Sequence, residues 1–200
     1  MKKFMVIAIA LSVALFAVGS ALAKNPLADG EKAVWKTFEA AIPKAKHVTV
    51  DDLYKKWQEV MAGKSKAILL DVRTHPEFNA FHVEGSSHIH SGHMYTIPKK
   101  IKDPNAEIWV FCRTQHRAAY VAGILYKYGY KNVYYVSKAK DGAPGGIVGW
   151  VKRGYPVFNY YFGFATAIKY VKPGAYHERG HYIREFGDPR QTGPVKAKKK

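Results

Sequence analysis

Short apolar runs recur along the chain and are separated by segments in which apolar and polar residues alternate with helical spacing. Three of these runs have the length and composition of strands that are buried on both faces. They lie at 67–72, 108–111 and 133–136. A shorter extended segment is expected at 47–50.

Between these runs, apolar residues recur at three- and four-residue spacing, which is typical of helices with one buried face. Helices are predicted over 51–61, 117–128 and 147–153, with Thr49 as the N-cap of the first and Gly129 ending the second. Strands that alternate with helices predict an α/β fold with a mainly parallel sheet flanked by helices. In such sheets ligands bind beyond the carboxyl ends of the strands.

The N-terminal residues 1–23 have the form of a secretory signal peptide. Two lysines precede an apolar run over 4–18, and Ala21 and Ala23 place small residues where a signal peptidase reads them. An uncleaved membrane anchor is the alternative, although the run is shorter than the roughly 18 to 20 residues of a membrane span. We therefore expect a periplasmic or otherwise exported protein that begins near Lys24.

The remaining chain divides by composition into three parts. Residues 24–46 are expected to form a helical lead-in that Pro43 interrupts, and residues 47–157 form the α/β domain. Residues 158–200 are a basic, aromatic-rich extension whose Lys-rich end is expected to be disordered. Within this extension, the segment 160–182 either packs on the domain or forms an interface.

The net charge and the single cysteine limit the kinds of partner and of chemistry that this protein is expected to have. The formal net charge is +17, which favours anionic partners or serves solubility, and export argues against nucleic acid as the partner. The single cysteine, Cys112, cannot form an internal disulfide, and a free thiol in an oxidising compartment is prone to oxidation. Cys112 is therefore either a small buried apolar residue or a functional thiol.

The segment around Cys112 favours a functional thiol. Cys112 follows a predicted strand and precedes a predicted helix, so successive backbone N–H groups of the loop should point into one concavity. The helix dipole and two arginines add positive charge, so we expect a depressed pKa and a resting thiolate. The thiolate would take sulfur from a small anionic donor, polysulfide or thiosulfate, as a persulfide, without any cofactor. The predicted substrate-binding residues of the loop are Arg113, Thr114, Gln115, His116 and Arg117.

An ordered set of short motifs over roughly residues 47–157 resembles the rhodanese domain family. The motifs are Asp71-Val72-Arg73, Glu77-Phe78, His82-Val83-Glu84-Gly85, Cys112-Arg113, Gly129-Tyr130-Lys131-Asn132-Val133, Gly145-Gly146, Trp150 and Gly154-Tyr155-Pro156-Val157. The resemblance implies a single rhodanese-like domain with sulfurtransferase activity, and a thiol or cyanide as sulfur acceptor.

The segment 111–119, the export signal and the helical lead-in are also similar to the periplasmic polysulfide-sulfur transferases. This narrower resemblance implies a homodimer that passes polysulfide sulfur to a membrane reductase. Two positions depart from the family's usual loop, with Gln115 in place of Gly and Ala118 in place of Ser or Thr. If this position of the loop needs a positive φ, glutamine would alter the shape of the loop, because residues other than glycine disfavour that conformation. Such a change would weaken the use of thiosulfate as the donor more than it would weaken sulfur transfer from other donors.

Cysteine-dependent phosphatases are the first alternative reading of this loop. They place one more residue between the cysteine and the arginine than the four that lie between Cys112 and Arg117. The loop is therefore expected to be too small for a phosphoryl group. Two further alternatives stay open: a carrier or binding module of the same fold that delivers sulfur without significant turnover, and an anchoring role of the C-terminal extension.

Charged residues near the predicted loop have both structural and functional interpretations. Asp71 and Arg73 end a buried strand and form either a structural ion pair or, in the case of Arg73, part of the entrance for the anion. His82 is expected to be structural and to hold the chain after a short helix. His116 either tunes Cys112 or is simply exposed.

Three further histidines have the spacing of metal ligands. His88 and His90 would share one face of a strand, and His93 follows closely. Because no carboxylate or cysteine lies near them in the sequence, no metal is predicted.

Overall fold

The computed structural model describes residues 25–139, 141–159 and 163–165. The chain divides into two compact units, residues 1–34 and residues 35–200. In the first unit the described residues form the beginning of helix α1, Pro26–Ala40. In the described part of the chain, no helix has the length and apolar character needed to cross a membrane. The predicted signal peptide lies outside the described residues.

A five-stranded sheet forms the centre of the second unit. Its strands are β1 His47–Val48, β2 Ile68–Asp71, β3 Ser87–His88, β4 Ile108–Phe111 and β5 Val133–Val136. Their order in the sheet is β1-β5-β4-β2-β3, and every neighbouring pair is parallel. The predicted parallel α/β fold is thus confirmed, and β4 and β5 have the predicted bounds.

Helices connect these strands on both faces of the sheet. They are α2 Val50–Met61, α3 His75–Ala80, α4 Ile97–Lys100, α5 His116–Lys127 and α6 Gly146–Lys152, with 3₁₀ helices at Lys44–Lys46 and Ser91–Thr96. The N-cap predicted for α2 is confirmed: Thr49 accepts a hydrogen bond from the N–H of Asp52 and donates its own N–H to the Asp52 carboxylate at 2.9 Å. This capping box stabilises the first turn of α2.

Two apolar clusters cover the two faces of the sheet. Successive side chains of a strand point to opposite faces, so a strand covered on both sides is apolar throughout. Leu69 and Phe111 belong to the cluster that includes residues of α2 and α6, whereas Leu70 and Val110 belong to the cluster that includes residues of α5. Cys112 belongs to the α5 cluster, and this assigns its side chain to one face of the sheet.

The later part of α1 packs closely on α5. A Cβ atom at Gly123 would collide with the backbone carbonyl of Phe38, so glycine is required where the two helices meet. The ring of Phe38 also contacts that of Tyr120, with centroids 5.3 Å apart. The predicted helical lead-in is observed as α1, which ends before Pro43.

Ordered structure continues past the predicted end of the domain at Val157. Strand β6 Val157–Asn159 pairs antiparallel with β7 Gly163–Ala165. The backbone of Phe158 exchanges two hydrogen bonds with that of His82, at 2.8 and 3.0 Å. The first residues of the extension therefore pair with the domain. Most of the segment 160–182 and the Lys-rich end lie outside the described residues.

Candidate active site

The thiol of Cys112 lies at the carboxyl edge of the sheet, directly after β4. Its residue is only 1 % exposed. The backbone N–H groups of Thr114 and Ala118 favour the charged form of its sulfur. Two N–H groups of the predicted loop thus act on Cys112. An anionic sulfur would gain most from such donors, because hydrogen bonds to a charged acceptor are stronger than those to a neutral one.

The beginning of helix α6 holds this loop from behind. The N–H of Ile147 donates to the carbonyl of Cys112 at 2.9 Å, and the N–H of Val148 donates to the carbonyl of Arg113 at 3.0 Å. Gly146 has φ +60°, and a Cβ atom there would collide with the carbonyl oxygen of Cys112. The glycine pair of the sequence motif thus allows the helix to approach the backbone of the loop.

Burial raises the pKa of the Cys112 thiol. The N–H donors of Ala118 and Thr114 and the charge of Arg117 oppose this effect without outweighing it. The predicted depressed pKa and resting thiolate are therefore wrong for this structure. The physical reason is desolvation: a thiolate at this depth loses most of its contact with water, and the sequence does not show how deep the sulfur lies.

Arg117 is bound to a carboxylate from another helix. It makes a two-pronged ion pair with Glu77 of α3, with nitrogen–oxygen distances of 2.7 and 2.9 Å. Burial alone would raise the pKa of Glu77, but hydrogen bonds from Arg117 and Thr74 outweigh it and lower the pKa to about 2. Arg117 therefore braces the loop and acts on the sulfur through its charge. The direct substrate contact predicted for it stays a prediction.

The other predicted loop residues have diverse surroundings. Arg113 is exposed at the rim, and Thr114 is half-buried. The side chain of Gln115 accepts a hydrogen bond from the N–H of Lys138 at 3.1 Å, which ties the loop to the segment after β5. Its φ is −157°, so the positive φ considered for Gln115 is wrong, and no described residue other than glycine has a positive φ.

His116 is exposed, and its ring stacks on the indole of Trp35, which lies in the second half of α1. The two ring centroids are 5.4 Å apart and the planes are nearly parallel, at 10°. Of the two predicted roles, exposure fits the structure, and the stack with Trp35 adds a contact that the sequence did not reveal.

Asp71 and Arg73 form the buried ion pair that was one of their two predicted roles. The shortest nitrogen–oxygen distance is 2.7 Å, and Arg73 also donates to the carbonyls of Glu77 and Phe81. Arg73 is 2 % exposed, so the other predicted role, at the entrance for the anion, does not fit. The pair holds α3, which in turn supplies Glu77 to Arg117.

His82 has the structural role predicted for it. It is buried, its Nδ1 is 3.0 Å from the carbonyl oxygen of Phe78, and its ring stacks on that of Phe78. Burial lowers its pKa to about 4. His82 is therefore neutral in the folded protein near neutral pH.

Two of the three predicted candidates for metal ligands, His88 and His90, lie beside His75 of α3, and His93 lies beside His90. The ring centroids of His75 and His88 are 4.8 Å apart, and those of His90 and His93 are 5.8 Å apart. Strand β3 ends at His88, so the strand face predicted for His88 and His90 is not formed. No group of three or more His, Cys, Asp or Glu residues in the described ranges is arranged to hold a metal ion.

Several groups that shape the site had no role in the sequence interpretation. Glu77 was noted only as part of a motif, and the amides of α6 and the indole of Trp35 were not considered. The Thr-x-x-Glu pattern at 74–77 does indicate a helix start. Nothing in the sequence, however, signals a contact between residues 40 positions apart, such as Glu77 and Arg117.

Comparison with known proteins agrees with this architecture. The family model described as "Rhodanese-like domain" matches residues 54–152. The polysulfide-sulfur transferase homodimer from Wolinella succinogenes is 28% identical, with 64% of this chain and 86% of that chain covered and a TM-score of 0.49. A rhodanese-related protein from Thermoplasma volcanium is 25% identical, with 56% and 96% covered and a TM-score of 0.45.

A thiosulfate sulfurtransferase from Pseudomonas aeruginosa is a much longer relative. It is 23% identical with a TM-score of 0.44, and the match covers 53% of this chain but only 19% of that one. Since these TM-scores are modest, the family assignment rests on the sequence match and on the parallel sheet with Cys112 at its carboxyl edge. Residues 54–152 of this chain therefore belong to the rhodanese-like domain family.

Proposed function

We propose that this protein is a sulfurtransferase that carries sulfur on Cys112 as a persulfide. The observation that carries the proposal is the position of Cys112 at the carboxyl edge of the sheet, directly after β4, where the backbone N–H groups of Thr114 and Ala118 favour a charged sulfur. These donors suit an anionic sulfur, and the membership of residues 54–152 in the rhodanese-like domain family supports sulfur transfer in general.

The proposed reaction has two displacement steps. The Cys112 thiolate attacks the outer sulfur of a donor, a sulfur–sulfur bond of the donor breaks, and its electron pair leaves with the remaining anion. That anion is sulfite when the donor is thiosulfate and a shortened polysulfide when the donor is polysulfide. An acceptor thiolate or cyanide then attacks the outer sulfur of the persulfide, and the Cys112 thiolate is released. No electrons are gained or lost overall.

The structure supports an anionic donor that approaches from the rim of the loop. Arg113 is exposed there, and Arg117 adds positive charge beside the sulfur. The negative φ of Gln115 removes one reason to disfavour thiosulfate. Polysulfide and thiosulfate are therefore both included in the proposal.

Intact-mass analysis tests this function directly. The protein is incubated separately with polysulfide, thiosulfate and 3-mercaptopyruvate, and the Cys112→Ser variant serves as the matched control. We expect wild type to gain the mass of one sulfur from at least one donor, reversibly on addition of cyanide, and the variant to gain none. A wild type that never loads, or a variant that loads equally, would contradict the proposal.

A sulfur carrier without significant turnover is the second candidate, and the burial of Cys112 favours it. At 1 % exposure the sulfur is poorly accessible to a bulky acceptor. Both candidates predict loading of one sulfur. Multiple-turnover assays with cyanide or a small thiol separate them, because a carrier would stop after one transfer.

We also propose that the protein is exported and processed near Lys24, on the strength of the signal-peptide pattern in residues 1–23. N-terminal sequencing of the protein from the periplasmic fraction tests this, and recovery of Met1 would contradict it. The resemblance to polysulfide-sulfur transferases further suggests a homodimer that delivers sulfur to a membrane reductase. The mass of the purified protein in solution tests the dimer.

A further inference from the structure

Tyr135 of β5 places a buried hydroxyl beside the site. The residue is 0% exposed, and its hydroxyl has no hydrogen-bond partner within the described residues. A buried polar group without a partner destabilises a protein, and phenylalanine would fill the same space without that cost. Two neighbouring tyrosines behave differently, because Tyr126 donates to the carbonyl of Val133 and Tyr130 donates to that of Ile101.

The sheet register places the side chains of Tyr135 and Cys112 on the same face. Tyr135 pairs with Val110 of β4, and Cys112 follows Val110 by two residues, so all three side chains point the same way. All three also belong to the cluster that α5 covers. With a rise of about 3.3 Å per residue and neighbouring strands about 4.8 Å apart, the Cα atoms of Tyr135 and Cys112 should be roughly 8 Å apart, a distance that a tyrosine side chain spans.

Electrostatics also connects the two groups. Burial is the main cause of a strongly raised pKa at Tyr135, and the charges of Glu39 and the Cys112 thiolate raise it further. The hydroxyl therefore keeps its proton throughout the working range of pH and is available as a donor. It lies close enough to Cys112 for a charge on the sulfur to act on it.

We propose that the Tyr135 hydroxyl donates a hydrogen bond to the sulfur of Cys112 when that sulfur is charged, as the thiolate or as the persulfide. A neutral thiol is a weak acceptor, which explains why the hydroxyl lacks a partner in the resting protein. A charged sulfur is a far stronger acceptor. Tyr135 would then be a third donor beside the N–H groups of Thr114 and Ala118. The persulfide part of this inference rests on the proposed function, whereas the thiolate part does not.

Other charged and titratable groups surround the pair. Glu39 and Cys112 act on Tyr135, and the ring of His47 meets the Tyr135 ring edge-on at 5.2 Å. Asp71 disfavours the thiolate, and Arg117 favours it. Replacing the hydroxyl alone leaves these groups in place, so a change in the titration of Cys112 reports on the hydroxyl.

The test compares Tyr135→Phe with Tyr126→Phe as the matched control. The pH dependence of Cys112 alkylation by iodoacetamide is measured for both variants and for wild type. We expect the alkylation midpoint to rise by about one to two pH units in Tyr135→Phe, the effect of losing one hydrogen bond to a charged group. We expect no change in Tyr126→Phe. At a fixed neutral pH, sulfur loading should fall about tenfold to a hundredfold in Tyr135→Phe only.

Unfolding by urea provides a second readout, the free energy of unfolding. A hydroxyl with a merely structural role would stabilise the fold, so its removal would lower this free energy. We expect Tyr135→Phe to be as stable as wild type or more stable, and Tyr126→Phe to be less stable. An unchanged alkylation midpoint in Tyr135→Phe, or a loss of stability like that of Tyr126→Phe, would overturn the assignment. Alkylation needs no sulfur donor, so a wild type that fails to load would count against the proposed function alone.

Discussion

Arg113 and Arg117 flank the same loop, but their side chains have different surroundings. Arg117 is half-buried and joined to Glu77 by two hydrogen bonds, whereas Arg113 is exposed at the rim. Loss of Arg117 would leave the Glu77 carboxylate without its main partner and disturb the loop. Arg113 is therefore the better probe of how the loop attracts an anionic donor.

Arg113→Gln should lower kcat/KM for polysulfide by about tenfold or more, because a charged interaction with the donor is lost. Added salt should slow the wild type more than this variant, since part of the attraction has been removed. Lys131→Gln is the matched control, because Lys131 is exposed and precedes β5 at the opposite edge of the sheet. Rates at low and high ionic strength provide the measurement. Equal behaviour of the two variants would mean that Arg113 does not attract the donor.

At the scale of elements, the site depends on the contact between α6 and the loop after β4. The first amides of α6 bind the carbonyls of Cys112 and Arg113, and this contact is possible only because Gly146 lacks a side chain. The loop is thus held in shape both by α5, which it precedes, and by a helix from much later in the chain. Moving α6 should move the N–H donors around the sulfur.

Gly146→Ala should destabilise the fold and slow sulfur loading by at least about tenfold, because its Cβ would push against the carbonyl of Cys112. Gly142→Ala is the matched control: it has φ +79°, but a Cβ there meets no atom within 4 Å. Each variant adds the backbone strain of a positive φ, about 1–3 kcal/mol. Urea unfolding and intact-mass loading are measured for both. If Gly146→Ala loads as fast as Gly142→Ala, the contact with α6 is not needed for the chemistry.

At the scale of the whole molecule, a buried histidine and a half-buried carboxylate give stability a dependence on pH in separate ranges. Burial lowers the pKa of His82 to about 4, from 6.5. Burial alone would raise the pKa of Glu77, but hydrogen bonds from Arg117 and Thr74 outweigh it. They lower the pKa from 4.5 to about 2. In both cases the unfolded chain binds a proton at a higher pH than the folded protein does. Stability is therefore lost as the pH falls, first through the histidine range and then through the carboxylate range.

The free energy of unfolding should fall between pH 6.5 and 4, with His82 contributing up to about 3 kcal/mol of the decrease. The His82→Asn variant keeps a donor near the Phe78 carbonyl and should show a shallower decrease over this range. Some decrease should remain, because burial also lowers the pKa of His88. His93→Asn, at an exposed position, is the control. Urea unfolding at several pH values is the measurement, and a wild-type slope in His82→Asn would contradict the assignment.

The sequence by itself determined the order of the main elements and the place of the thiol. Strands β4 and β5 were recognisable because a strand that is buried on both faces is apolar throughout. Helix α2 was recognisable because a helix with one buried face repeats its apolar residues every three or four positions. Cys112 could be placed at the carboxyl edge of the sheet because it lies between a strand and a helix. These features depend on residues that are close together in the chain.

Only the tertiary structure decided what surrounds the thiol. The depth of Cys112, the pairing of Arg117 with Glu77, the approach of Gly146 to the loop and the buried hydroxyl of Tyr135 all arise from contacts between segments that are far apart in sequence. The pKa of Cys112 shows the consequence. Local sequence predicted stabilisation of the thiolate by N–H groups and charge, and these are present, but desolvation by the packed fold outweighs them.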